Sequence, residues 1–359
     1  MDIEEIIGFE ALYESMNKCV KGVLWKDGTA AFYHNWAREL HRLSRQLHDG
    51  TYRERSPKFF TITEPKTREI MSIAFRDRVY QRSLNDVAIY PATTRSFIYD
   101  NHACQKGKGT SHARERLKCH LQRYYRKHGA EGYVLQCDVK GYYPNMSHDV
   151  AKRVLHKYLD DEIYEMAARI LDNFPGERGF NPGSQIVQIV GITALNEMDH
   201  YIKEVLREPA YDRYMDDFAI IQSDRSKLEY DLEHIEHHLT ELDMELNMEK
   251  TRIYDLREGI PWLGFIFRLT DTGKVVISIK PEKVKHERLK LRRMARLVKE
   301  GKKTREKMDE HFRSWKETAS YGNNYNMLQR MDKYYESLWE ADESEIQETE
   351  HDGQGSTRS

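Results

Sequence analysis

The sequence predicts an α+β fold with helices covering one face of an antiparallel sheet, and three observations point to it. Mid-chain, the order is strand, helices, hairpin, helix, strand, the order of a ferredoxin-like split unit. The strand candidates are short and apolar, with turn residues between them. The intervening stretches carry apolar residues at three- and four-residue spacing, the signature of amphipathic helices.

Taken in order, Ala11 to Leu47 reads as largely helical, with Phe32, Trp36, Leu40, Leu43 and Leu47 on one face and Asp49-Gly50 as the stop. Lys58-Phe-Phe-Thr-Ile-Thr and Arg68-Glu-Ile-Met-Ser-Ile-Ala-Phe, separated by Glu64-Pro65-Lys66, predict a hairpin leading into a helix over 76–88. Gln105-Lys-Gly-Lys-Gly-Thr reads as a basic loop before a helix over 111–127. Tyr133-Val-Leu-Gln-Cys-Asp-Val predicts a strand, followed by helices over 147–159 and 162–171 and a long apolar helix over 183–206. Tyr211-Asp-Arg-Tyr and Phe218-Ala-Ile-Ile-Gln form hairpin arms around Met215-Asp216-Asp217. The next helix places Leu228, Leu232, Ile235, Leu239 and Leu242 on one face, and Thr251-Arg-Ile-Tyr closes the unit as a strand. Trp262-Leu-Gly-Phe-Ile-Phe and Lys274-Val-Val-Ile-Ser-Ile predict a further hairpin around Asp271-Thr-Gly273, and 283–335 reads as helical and basic.

Composition narrows the class. With 359 residues, 39% hydrophobic and 32% charged, the chain is neither a polar disordered polymer nor a membrane protein. No apolar run approaches the ~18 residues of a membrane span, and the acidic start Met1-Asp-Ile-Glu-Glu lacks the basic flank of a signal peptide, so a cytoplasmic location is expected. Cys19, Cys104, Cys119 and Cys137 form no Cys-x-x-Cys pair and read as free thiols in a reducing compartment. The net charge of −2 hides an uneven distribution. Residues 336–359 hold eight acids against one Arg and read as an acidic disordered tail, whereas 274–316 holds sixteen Lys/Arg against six acids, a footprint suited to a polyanion.

Three carboxylates carry the chemistry. Asp138 ends an apolar strand, and Asp216 and Asp217 sit at the tip of an apolar hairpin. An isolated Asp-Asp is usually a turn pair. An ionised carboxylate beside apolar strands is costly unless paired or metal-bound, and three at one sheet edge make a hard oxygen site suited to Mg²⁺. Two such ions suit in-line phosphoryl transfer.

Arg213-Tyr-Met-Asp-Asp-Phe resembles the Tyr-x-Asp-Asp box of reverse transcriptases, and Asp138-Val-Lys-Gly-Tyr-Tyr-Pro-Asn-Met resembles their first catalytic-aspartate motif. Further segments resemble the prokaryotic members in the same order: Phe75-Arg-Asp-Arg-Val-Tyr-Gln, Gly179-Phe-Asn-Pro-Gly-Ser-Gln, Leu246-Asn-Met-Glu-Lys-Thr and Trp262-Leu-Gly-Phe. The resemblance covers about 25–335 and implies a right-hand polymerase with fingers, a ferredoxin-like palm and a helical thumb. The expected division is an N-terminal extension at 1–24, fingers at 25–130, palm at 131–256, a primer-grip hairpin and basic thumb at 257–335, and the tail at 336–359.

The resemblance also implies roles. Asp138 and Asp216 would ligate two Mg²⁺ ions, with Mn²⁺ as a substitute, Asp217 would support them, and the backbone at Val139 would contribute to the metals and triphosphate. Tyr143 would lie under the sugar and exclude a 2′-hydroxyl, and Lys250 would protonate departing pyrophosphate. Arg68 and Arg76 are candidates for the incoming triphosphate because a guanidinium binds phosphate bidentately. Gln188 aligns with the Gln of a Ser-Gln pair found in diversity-generating retroelement enzymes, although Val187 precedes it here and Ser184-Gln185 stands three residues earlier.

The implied activity is RNA-directed DNA synthesis on an RNA template with a DNA or RNA primer and dNTPs. The length is expected to leave no room for a ribonuclease H or endonuclease domain, so a dedicated noncoding RNA or small accessory protein is the expected helper, in a retroelement or a phage-defence system. Two other readings stay open: template-independent or protein-primed DNA synthesis, and a non-catalytic RNA-binding scaffold.

Overall fold

A computed structural model describes residues 2–63, 67–181 and 183–352, with side chains except that of Arg68 and those of 340–352. The chain forms two compact units, one of residues 1–117 and 133–253 and the other of residues 118–132 and 254–359.

In the first unit, the stretch expected to be largely helical from 11 to 47 is formed by helices Phe9–Val20, Asp27–His34 and Trp36–His48. Gly22 at φ 73° and Asn35 at φ −111° break the run. Strands β1 (Lys58–Ile62) and β2 (Arg68–Ser72) pair antiparallel with Phe60 opposite Ile70, as the apolar pattern predicts, and the 64–66 turn lies outside the described residues. Strand β3 (Tyr133–Asp138), β4 (Tyr211–Tyr214), β5 (Asp217–Gln222) and β6 (Arg252–Asp255) form a four-stranded sheet in the order β4-β5-β3-β6. The central β5 is buried from Phe218 to Ile221, which its run of four apolar residues requires. Helix Arg225–Glu241 buries Leu228, Ile235 and Leu239 in the core that also holds Leu135, Cys137, Phe218 and Ile220.

The helix expected from 183 to 206 is divided into Gln185–Ala194, Asn196–His200 and a π-helical turn at Tyr201–Val205. Its break at Leu195 lies beside Asn196, whose amide donates to Ser96 Oγ and Tyr158 Oη, both at 3.0 Å. Buried polar partners outweigh helix continuity here.

The second unit contains a three-stranded sheet, β7 (Ile260–Trp262), β8 (Phe265–Leu269) and β9 (Val275–Ile279), in that order. The expected single arm from Trp262 to Phe267 is two strands, because Leu263 at φ 44° and Gly264 at φ 93° reverse the chain. Helices Pro281–Lys299, Arg305–Ala319 and Tyr325–Asp352 follow, with Leu291, Met294, Met308, Phe312 and Met331 as their core. Backbone helix extends to Asp352 through a stretch whose acidity predicts disorder, consistent with the strong helix propensity of its Glu and Ala residues; residues 353–359 lie outside the described residues. Among the described residues no helix is long and apolar enough to cross a membrane.

A buried histidine ties the segment before the basic loop to β4. His102 Nε2 lies 2.9 Å from Asp212 Oδ1, with both side chains fully buried. Burial holds the imidazole down at about 3, Asp100 opposing and the Lys108, Arg116 and Arg213 cations reinforcing the shift. A neutral ring facing a carboxylate must donate from Nε2, so its Nδ1 accepts from His112 Nδ1 at 2.9 Å. Between the unfolded histidine pKa of ~6.5 and about 3, the unfolded chain takes up a proton that the folded chain refuses, so this group's contribution to stability falls as pH falls. The stability advantage of the wild type over His102→Asn should therefore shrink between pH 7 and pH 4 in urea denaturation; a constant gap would contradict this assignment.

Candidate active site

The site is built by strand register. β3 and β5 are antiparallel with Cys137 opposite Phe218 and Asp138 opposite Asp217, and β4 places Tyr214 opposite the same Asp217. Met215 and Asp216 are therefore the two residues of a tight hairpin, and Met215 adopts φ 59°. Such a turn wants positive φ at its first position, where a side chain costs about 1–2 kcal/mol relative to the right-handed region. The strain falls at the residue that presents Asp216.

Residues 245–247 run antiparallel alongside 138–140. Lys140 N donates to the Glu245 carbonyl at 2.9 Å and Asn247 N to the Asp138 carbonyl at 2.8 Å, with Val139 paired to Leu246 between them. In this pattern the N–H and C=O of Val139 face away from residues 245–247. Asp138 Oδ1 accepts from Lys250 Nζ at 2.7 Å and from Asn247 Nδ2 at 3.2 Å. Asp138 is 16% exposed and Lys250 57%, so the pair opens to solvent on the lysine side.

The electrostatics follow from placing these carboxylates together. Burial pushes the Asp216 carboxyl above the usual range, and Asp138 pushes it further, while a backbone hydrogen bond, Lys250 and Arg213 pull the other way. The Lys250 ammonium is raised, chiefly by its hydrogen bond to Asp138, with burial opposing and the other two aspartates adding. An acidic sheet end paired to a half-exposed lysine has the donor chemistry of a divalent-metal site: hard oxygens and excess negative charge beside a cation that opens to solvent. Asp138, Asp216, Asp217 and the Val139 carbonyl are the groups that fit.

Two tyrosines follow. Gly141 turns the chain at φ 54° into a short helix, Tyr142–Asn145. The Tyr142 hydroxyl donates to the Gly191 carbonyl of helix Gln185–Ala194. The Tyr143 ring lies on the bare Cα of that glycine: a Cβ there would sit 2.7 Å from its hydroxyl and 3.0 Å from its ring carbons. The buried Tyr143 hydroxyl has no hydrogen-bond partner among the described residues, and burial raises its pKa. Gln188, one helical turn before Gly191 and Ile192, accepts from Cys104 Sγ at 3.8 Å, and that sulfur is also 3.8 Å from Met215 Sδ.

The structure thus brings together Asp138, Val139, Asp216, Asp217 and Lys250, and links Gln188 to the hairpin through Cys104. Arg76 is committed elsewhere: its Nε donates to Asp77 at 3.1 Å, its Nη atoms to Gln46 at 3.3 Å and the Arg53 carbonyl at 2.5 Å, and its guanidinium lies over Tyr52. The side chain of Arg68 lies outside the described residues. Asn247 and Gly191 gain site roles that the sequence reading did not give them. The signal for Asn247 was its place three residues before Lys250; Gly191 offered none, since a helical glycine announces no partner.

Fold and carboxylate cluster together are those of a nucleotidyltransferase of the polymerase class. The reverse transcriptase (RNA-dependent DNA polymerase) family matches residues 63–267, more than half of the chain, and the chain belongs to that family. The fold is accordingly the α+β fold of the right-hand polymerase class. Among solved structures, the chain is similar to apo telomerase from Candida tropicalis truncated from its C-terminal domain, at 13% identity and a TM-score of 0.48. That match covers 62% of this chain and 55% of the telomerase chain, so this chain spans about half of its length. No curated protein matches the sequence.

The Gly191 contact makes a quantitative demand. Gly191→Ala should destabilise the protein although alanine is the better helix former by about 1 kcal/mol. Tyr143→Phe removes the nearest clashing atom and an unpaired buried hydroxyl, so Gly191→Ala in that background should cost less, with a coupling of about 0.5–3 kcal/mol in a double-mutant cycle. Additive effects would mean that the two residues do not touch.

Proposed function

We propose that this chain is an RNA-directed DNA polymerase that extends a primer by phosphoryl transfer at Asp138, Asp216 and Asp217. The observation that carries the reading is the register that sets Asp138 opposite Asp217, with Asp216 in the adjoining turn and Lys250 on Asp138. Asp138, Asp216 and the Val139 carbonyl would hold two Mg²⁺ ions, and Asp217 would complete the charge. When bound, the ions lower the pKa of the attacking 3′-hydroxyl and neutralise the leaving pyrophosphate.

The chain's own groups do the rest. Lys250, kept protonated by its carboxylate neighbour, holds a proton beside the leaving group and would trade Asp138 for phosphate oxygens when substrate enters. Tyr143, fixed from behind by helix Gln185–Ala194, would press its ring against C2′ of the incoming sugar and exclude a hydroxyl by contact. Gln188 would line the same pocket. Arg76 can serve a triphosphate only by releasing Asp77, so triphosphate binding falls first to backbone and Lys250.

The resemblance of the motifs to those of prokaryotic members supports a prokaryotic enzyme, for which a retroelement or phage-defence role served by its own RNA or a small accessory protein is the proposed setting. The basic helices Pro281–Lys299 and Arg305–Ala319 have the charge to follow the phosphates of an RNA–DNA hybrid.

With poly(rA)/oligo(dT), dTTP and Mg²⁺, the wild type should extend the primer and EDTA should stop it. Asp216→Asn and Asp217→Asn should each lower the rate by about 10²-fold or more. Tyr143→Ala should raise ribonucleotide incorporation while retaining dTTP incorporation. Extension that persists without template would favour template-independent synthesis, and undiminished RNA binding without any extension would favour a scaffold.

A further inference from the structure

One residue before the Tyr214-Met215-Asp216-Asp217 turn, Arg213 is fully buried. A buried guanidinium is tolerated only when charge and donors are both satisfied. Here Nε donates to Asp199 Oδ1 at 2.7 Å and Nη2 to Asp199 Oδ2 at 2.5 Å, a bidentate pair whose side chains are both 0% exposed. The Tyr211 hydroxyl also donates to Asp199 Oδ1, at 2.6 Å. Nη2 reaches the Ile192 carbonyl at 3.0 Å. Nη1 donates to the carbonyl of Met215 at 2.9 Å.

That last bond matters most. The Met215 carbonyl belongs to the peptide that carries Asp216, and Met215 is the residue in the left-handed conformation. The guanidinium therefore grips the strained turn from the protein interior and, through the rigid fork to Asp199, anchors it to helix Asn196–His200. A lysine could supply charge but not two carboxylate bonds and two carbonyl bonds at once.

We propose that Arg213 is a positioning residue for the candidate metal site: through the Met215 carbonyl it fixes the backbone that presents Asp216 and thereby sets the affinity of the site for divalent metal. The proposal rests on the polymerase reading above and adds to it how the Asp-Asp turn is held. The Asp199 pair is the anchor, and Tyr211 serves the anchor alone.

The test is Mn²⁺ binding to the full-length protein alone, followed by electron paramagnetic resonance, beside Mg²⁺ titrations of primer extension. In Arg213→Lys, and in the isosteric triple variant Arg213→Met/Asp199→Leu/Tyr211→Phe, Mn²⁺ should bind about 10–100-fold more weakly, the range for loss of a group that orients a metal ligand. The Mg²⁺ requirement of extension should rise in step, excess metal should restore part of the rate, and the Kd for primer–template should stay within about twofold. Tyr211→Phe alone leaves the grip on Met215 and should bind Mn²⁺ as the wild type does. The apolar triple variant keeps the core filled, so its urea midpoint separates a positioning role from a folding one. Mn²⁺ affinity unchanged in either folded Arg213 variant would overturn the proposal. Mn²⁺ binding indifferent to Asp216→Asn would instead overturn the polymerase site itself.

Discussion

The structure depends on holding like charges together. Asp138, Asp216 and Asp217 share one sheet end, and their mutual repulsion adds to the cost of taking Asp216 out of water. Locally, the Lys250 ammonium and the Asn247 amide on Asp138, with a backbone hydrogen bond and the Arg213 charge at Asp216, offset part of this. The remainder comes from the scaffold: a one-residue slip of β3 against β5 would turn Leu135 and Cys137 away from the core, so the register that buries them also fixes Asp138 against Asp217. The apolar strands supply the force, and the acidic end is what that force holds in place. A bound divalent cation relieves the same repulsion.

The surroundings share this logic. Met215 is held at a positive φ, Asn247 reaches Asp138 from a segment 109 residues away, and the Tyr143 ring occupies the space of a missing side chain at Gly191. Each feature is unfavourable or improbable alone and is fixed by buried neighbours. Clustering of such features at one place is the usual mark of a functional site.

Much of this was legible in the sequence, for identifiable reasons. Strand ends and tight turns are short-range signals, so the α+β order and the arms flanking Asp216 and Asp217 could be read directly. The elements that misled were those decided by distant partners. The break at Leu195 depends on Asn196 meeting Ser96 and Tyr158, and the reversal at Leu263-Gly264 depends on backbone conformation that an apolar run conceals. Arg76 reads as a triphosphate candidate because a guanidinium binds phosphate bidentately, and the sequence does not show that Asp77 beside it, Gln46 and the Arg53 carbonyl take its donors in this structure. Asn247 and Gly191 were silent because their meaning lies wholly in which side chain faces them.

The β3 and β5 strand ends are proposed to assemble one metal-binding phosphoryl-transfer site. Anomalous diffraction from crystals grown with Mn²⁺, an RNA–DNA primer–template and a non-hydrolysable deoxynucleoside triphosphate tests it most directly. Two manganese peaks are expected at the carboxylates of Asp138 and Asp216, with Lys250 released from Asp138 toward phosphate. Peaks elsewhere in the chain, or a bound triphosphate distant from these aspartates, would contradict it.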